Sequence, residues 1–173
     1  MPLPVRIGKL FSVSNHSAHS RALRKGRYSE PGRIYFVTSR CHKRNCLFNS
    51  SRLAQIVISE FDKCATEGIC RNLAFVVMPD HIHWLLQVRR ENRLQDIVRK
   101  LKGRSARRIN LRRISQSRVW QPGFHDRALR SEGDIEGAAT YLIQNPLRAG
   151  LVKDFRDYPF WWSVWNFDDA RRG

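Results

Sequence analysis

The first regular pattern along the chain is a β-branched and aromatic run, Arg33-Ile-Tyr-Phe-Val-Thr-Ser39, which predicts a strand. From Ser51 to about Thr66 the period lengthens. Leu53, Ile56, Val57 and Phe61 recur at helical spacing, with Ser50 or Ser51 placed to cap the start and Gly68 to break the run. Asn72-Leu-Ala-Phe-Val-Val-Met78 and His81-Ile-His-Trp-Leu-Leu-Gln-Val88 flank a Pro79-Asp80 turn, the pattern of an antiparallel hairpin. Asn92 is placed to cap a second helix, striped by Leu94, Ile97, Val98 and Leu101. A shorter strand-like piece covers about Val119 to Leu129. A last helix starts at Asp134 and stops near Asn145-Pro146, because proline cannot continue it and restrains the residue before it.

The order is strand, helix, strand, strand, helix, strand, helix. Its first six elements form a β-α-β-β-α-β split unit. This predicts an α+β fold: a ferredoxin-like antiparallel sheet with helices packed on it, plus a C-terminal tyrosine-bearing helix. Residues 1–27 read as a basic flexible arm, 28–165 as one domain and 166–173 as a tail.

Charge narrows the partner. Thirty-two Lys and Arg against 15 Asp and Glu give +17 in 173 residues. Such an excess repels itself unless a polyanion compensates it, and nucleic acid rewards each placed cation by releasing a counterion. A ribosomal or anionic-membrane partner suits the same number, so charge alone fixes no chemistry. No apolar run has membrane-span length and no secretion signal is visible, which points to the cytoplasm. Cys41, Cys46, Cys64 and Cys70 form no C-x-x-C pair and read as reduced thiols. A zinc site through Cys41, His42 and Cys46 is a weak alternative on spacing.

His81 and His83 lie two apart on a strand, so their side chains share one face roughly 6.5 Å apart, within reach of one metal ion. Ile82, Trp84 and Leu86 alternate onto the other face. The plain reading is a pair of half-exposed strand histidines, and two ligands do not complete a site. In the last helix Ile135, Ala139 and Leu142 mark the buried stripe, and at about 100° per residue Tyr141 falls some 120° from Ile135, on its flank. Asn145 lies one turn further on the same side and brings an amide oxygen that suits the missing ligand position. A tyrosine near pKa ~10 is a poor nucleophile at neutral pH, but a divalent cation that polarises a phosphodiester makes it useful.

Several segments together resemble a known family. Met78-Pro-Asp-His-Ile-His-Trp84 resembles the His–hydrophobe–His strand of single-tyrosine transposases. Tyr141-Leu-Ile-Gln-Asn-Pro-Leu-Arg-Ala-Gly-Leu-Val152 resembles their tyrosine helix and turn. Trp120-Gln-Pro-Gly-Phe-His-Asp126 resembles the segment between them, and Tyr158-Pro-Phe-Trp-Trp-Ser163 the closing patch. Running in order from about Gly26 to Trp165, they resemble the REP-associated tyrosine transposases, a domesticated branch of the IS200-like transposases. The resemblance implies a Mg²⁺ or Mn²⁺ site and the nicking and rejoining of single-stranded DNA beside palindromic hairpins. It implies that His81, His83 and Asn145 are metal ligands and that Tyr141 is the nucleophile forming a 5′-phosphotyrosine. It also implies a monomer, associated with the nucleoid. Paired histidines alone suit zinc better than magnesium, so the choice of metal rests on the resemblance. The chain departs from the pattern at Trp161-Trp162-Ser163, where two serines are expected, and in the length of its arm.

The expected DNA contacts are Arg24, Lys25 and Arg27 of the arm, with Arg21 beside them; Arg99, Lys100, Lys102, Arg104, Arg107 and Arg108 of the second helix; and Arg148 near the scissile phosphate. Trp161, Trp162 and Trp165 suit packing onto the sheet better than base stacking. The dipeptide His125-Asp126 is too common to carry a second metal site. A non-catalytic nucleic-acid-binding domain, stacking bases on Tyr35, Phe75 and Trp84, is the alternative from another class. A rolling-circle replication nuclease ranks behind both.

Overall fold

A computed structural model describes residues 31–89 and 92–167. The basic arm, with Arg21, Arg24, Lys25 and Arg27, lies outside the described residues. Among the described residues five strands form one antiparallel sheet in the order β4-β1-β3-β2-β5: β1 (Ile34–Arg40), β2 (Cys70–Met78), β3 (His81–Val88), β4 (His125–Leu129) and β5 (Trp161–Ser163). The order of the first four is that of the expected split unit, confirming the α+β fold. Among the described residues no helix is long and apolar enough to cross a membrane.

Helices α1 (Ser51–Thr66) and α2 (Leu94–Arg113) cover one face of the sheet, packing on Tyr35, Val37, Phe75, Val77, Ile82, Trp84, Leu86 and Val88. Helix α3 (Glu132–Ile143) covers the other, packing through Ala138, Ala139, Leu142 and Ile143 on Leu73, Ala74, Val76, Met78 and Leu85. With both faces covered, the inner strands are buried on both sides, so His83 is 9% exposed rather than half-open. A bulge in β2 between Asn72 and Ala74 sends both Leu73 and Ala74 to the α3 face. It leaves Asn72 on the other, where its side chain accepts from Trp84 Nε1 at 3.0 Å and donates to the Phe61 carbonyl at 3.1 Å.

Some local expectations need correction. Arg93, not Asn92, occupies the cap position of α2; the Asn92 amide turns back to the Arg89 carbonyl at 2.6 Å. The strand expected from Val119 shortens to β4, because Pro122 lacks a donor and Gly123 turns with φ 70°. Trp120 keeps a single bridge to Cys41. Helix α3 begins two residues earlier than expected, with the Ser131 side chain accepting from the Asp134 amide at 3.2 Å. The aromatic closing patch contributes β5, an edge strand that pattern alone did not show; Trp162 stacks on Phe75 at 5.9 Å, and Trp161 meets Phe155 edge to face at 5.4 Å.

Candidate active site

The site lies on the α3 face, and strand register assembles it. Thr38 of β1 is paired with His83 of β3, and Arg40 with His81. Directly paired residues put their side chains on the same face, so β1 supplies the neighbours of both histidines. The Thr38 hydroxyl lies 2.8 Å from His83 Nδ1, and the Asp80 carboxylate 2.6 Å from His81 Nδ1. Asp80 is itself fixed by Arg44 at 2.7 Å. Each histidine thus has Nδ1 engaged, and the ring edge carrying Nε2 is left to a ligand. The two rings stand edge to face, centroids 4.8 Å apart and planes at 80°.

Burial keeps both imidazoles neutral at neutral pH. Desolvation pulls His81 below its usual value against the opposing pull of Asp80. His83 is driven well below, first by burial and then by the repulsion its own charge would meet from a protonated His81 and from Arg148 and Arg40. Neutral imidazole is the form that binds metal.

Helix α3 lays Tyr141 across this row. Its ring lies 6.3 Å from His83 and 6.2 Å from Phe36, both edge-on, and Phe36 lies 5.2 Å from His83. The short helix α4 (Asn145–Arg148) follows directly, with Pro146 near its start. It carries Arg148 back over Tyr141: the guanidinium stands 3.8 Å from the ring centroid and donates to the Tyr141 carbonyl at 2.8 Å. Asn145, half-buried, has its Nδ2 sealed from solvent and without a hydrogen-bond partner. Beside the row, a cleft of about 160 Å³ is lined by Phe36, Thr38, His125, Asp126, Arg127 and Ala138.

The donor set fits a divalent ion on these observations. Two neutral imidazoles are oriented from behind by an oxygen each, with Nε2 left for a ligand; the unpartnered Nδ2 of Asn145 is a donor, so that residue could ligate only through its amide oxygen. Among the described residues no group of three or more His, Cys, Asp or Glu is gathered for a metal, so an amide or water must complete the set. The same holds against the zinc alternative: Cys41 is buried, with its thiol pushed up to about 12 chiefly by desolvation, while Cys46 is exposed.

The second-helix cations lie elsewhere. Helix α2 is on the opposite face of the sheet, and most of its basic side chains already have protein partners. Lys100 and Arg104 pair with Glu67 at 3.5 and 2.7 Å, Arg108 with Glu60 at 2.6 Å and Arg99 with Asp96 at 2.9 Å. Lys102 donates to the carbonyls of Gln121 and Gly123, and Arg107 is exposed. Only Arg148 of the expected described contacts stands beside Tyr141. Thr38, Asp80 and Arg40 were not singled out from sequence, because their roles come from register and from a turn rather than from any spacing.

Residues 32–142 match the sequence profile of the family described as Transposase IS200 like. The chain belongs to that family. The match runs from just before β1 to just past Tyr141 and so takes in both histidines. The chain is also similar to the REP-associated tyrosine transposase of Escherichia coli (strain K12), 32% identical over 100 residues, 57% of this chain and 56% of that protein. A Haemophilus influenzae relative is 26% identical over 98 residues, 51% of this chain and 56% of the relative. The chain thus spans about half the length of the curated relatives it matches. A solved structure described as the REP-associated tyrosine transposase bound to a REP hairpin superposes with TM-score 0.65 at 24% identity, covering 78% of this chain and 79% of the other, which shows the shared fold. The resemblance read from the motifs and the family match agree.

Proposed function

We propose that this IS200-like transposase is a metal-dependent enzyme that nicks and rejoins single-stranded DNA beside hairpin repeats, with Tyr141 as nucleophile. The observation that carries the reading is one row of side chains on the α3 face: neutral His81 and His83, each held from behind at Nδ1, with the Tyr141 ring 6.3 Å from His83. His81 and His83, with the Asn145 amide as third ligand, would hold Mg²⁺ or Mn²⁺; when bound, the ion would supply charge neutralisation for the attacked phosphate. The hairpin substrate is inferred from the description of the structural neighbour.

The chain's own groups account for the rest. Tyr141 Oη attacks the phosphorus, the bond from phosphorus to the 3′ oxygen breaks, and that oxygen leaves as a 3′-hydroxyl with the proton the tyrosine gave up. The 5′ phosphate stays on Tyr141, so the bond's energy is conserved and the reverse attack reseals the strand. Arg148, stacked on the ring and bound to the Tyr141 carbonyl, holds the nucleophile in place and keeps a positive charge beside it. Phe36 packs against both rings and shields the row from water.

Labelled single-stranded hairpin oligonucleotides, drawn from repeats flanking the gene and incubated with Mn²⁺ or Mg²⁺, should yield a covalent adduct on a denaturing gel. The adduct should vanish in Tyr141→Phe and in His81→Ala. An adduct that survives Tyr141→Phe would refute the assignment. The alternative stacking platform finds no support in the fold, since Tyr35, Phe75 and Trp84 are 6%, 3% and 0% exposed beneath α1 and α2.

A further inference from the structure

Strand β1 ends on Arg40, a residue no motif marks. Its pairing with His81 puts its side chain on the histidine face, one row beyond Thr38 and His83. Successive rows on one face are about 6.8 Å apart, two residues along a strand. Tyr141 packs on the rows of Phe36 and His83, so Arg40 stands in the His81 row, one row further from the nucleophile than His83.

Its bonding is incomplete. The Arg40 Nε is buried and has no hydrogen-bond partner. The carboxylate in the adjoining turn, Asp80, is already engaged, one oxygen on His81 and the other on Arg44. A sealed guanidinium donor is costly to leave unmade, and among the described residues no side chain meets it. The main chain around it is fixed: the Arg40 carbonyl accepts from Gln121 N at 2.8 Å and Cys41 N donates to the Asp80 carbonyl at 2.8 Å. Arg148 cannot serve the same end, because its guanidinium lies on the Tyr141 ring and carbonyl. A cation beside two metal-binding imidazoles repels a metal unless an anion sits between them, and the planar fork of arginine matches the oxygens of a phosphate.

We propose that Arg40 clamps the DNA phosphate at this site, donating to a non-bridging oxygen at the His81 end of the row. The assignment rests on the α3 face being the DNA-cleaving centre. Arg40 and Arg148 then divide the work: one holds the phosphate, the other the nucleophile.

The test uses the full chain with Arg40→Gln and Arg40→Lys, a hairpin oligonucleotide carrying a single-stranded arm, and Mn²⁺ alone. In chelator, Arg40→Gln should weaken oligonucleotide binding about tenfold and reduce the slope of log affinity against log salt by about 0.7, the share of one single-strand phosphate contact. Arg40→Lys should keep that slope but slow adduct formation about 10- to 100-fold, since it keeps the charge and loses the fork. Binding of Mn²⁺ alone to Arg40→Gln should be as tight as to the unsubstituted chain, or tighter. Unchanged affinity and slope in Arg40→Gln, or weakened Mn²⁺ binding, would overturn the assignment. Should Arg40→Gln fail to fold, an unchanged adduct rate in Arg40→Lys would do the same. An unsubstituted chain that forms no adduct refutes the cleavage reading instead, and the salt slope still decides whether Arg40 holds a phosphate.

Discussion

The two faces of the sheet differ in which polar groups they leave spare. Beneath α1 and α2 the buried polar side chains bond mainly to one another: Trp84 Nε1 on Asn72, Trp120 Nε1 on Ser105 at 3.0 Å, Ser105 on the Leu101 carbonyl at 2.7 Å, and Glu60 on Arg108 and Lys63. Among the described residues Ser39 Oγ, one Glu60 oxygen and Asn110 Oδ1 of α2 are left over there. Beneath α3 the polar groups are held but not used up. His81 and His83 are bonded at one nitrogen each, and Arg40 and Asn145 each have a buried nitrogen without a partner. A satisfied network stiffens a core, whereas oriented groups with spare bonding capacity are what a ligand needs. The α1/α2 face is scaffold and the α3 face is chemistry.

The largest effect should come from breaking the scaffold. Trp84→Ala removes a fully buried indole and strands the Asn72 oxygen, and should cost about 4 kcal/mol, read as the denaturant midpoint. A loss under about 1 kcal/mol would mean the core tolerates collapse there. Next in size is the Glu60 pair. Arg108→Ala leaves a carboxylate of 0% exposure with only Lys63, and should destabilise by about 2–3 kcal/mol. Glu60→Gln leaves only partly solvated cations and should cost less. The reverse order would show that Arg108 is not what makes the buried carboxylate tolerable. Neither substitution should alter Mn²⁺ affinity.

The chemical face should show the opposite balance. Thr38→Val should cost only about 1 kcal/mol of stability yet weaken metal binding about tenfold, because His83 loses the oxygen that orients it. Equal metal affinity would remove Thr38 from the site. Smallest is the pH effect. Both histidine pKa values lie below the unfolded value of about 6.5, so as pH falls through that range the unfolded chain takes up protons that the folded chain refuses. Stability present above about pH 6.5 should therefore drain away towards pH 5 in metal-free buffer. The slope should flatten in His83→Gln, and an identical slope would contradict a buried neutral His83.

Much of this was legible in the residues, for reasons that can be stated. The periods of α1 and β3 are clean, so both elements match the expected bounds, and the His-x-His spacing needs no tertiary information. What escaped depends on pairing. Thr38 and Arg40 join the site only because β1 meets β3 in one register, which no local pattern announces. The half-exposed reading of His83 failed because a strand's alternation says nothing about a helix arriving from 50 residues downstream to cover its polar side. The short β5 has too few residues to show a period. The run of cations on α2 is legible as charge, whereas the pairing of four of them with Glu60, Glu67 and Asp96 is set by the fold.

The most direct measurement is calorimetric titration of Mn²⁺ into the metal-free chain, beside His81→Ala, His83→Ala and Glu60→Gln. The account predicts one saturable ion per chain, lost in both histidine variants and retained in Glu60→Gln. An absence of saturable binding, or binding that survives replacement of both histidines, would contradict the assignment of the α3 face as the metal-dependent centre.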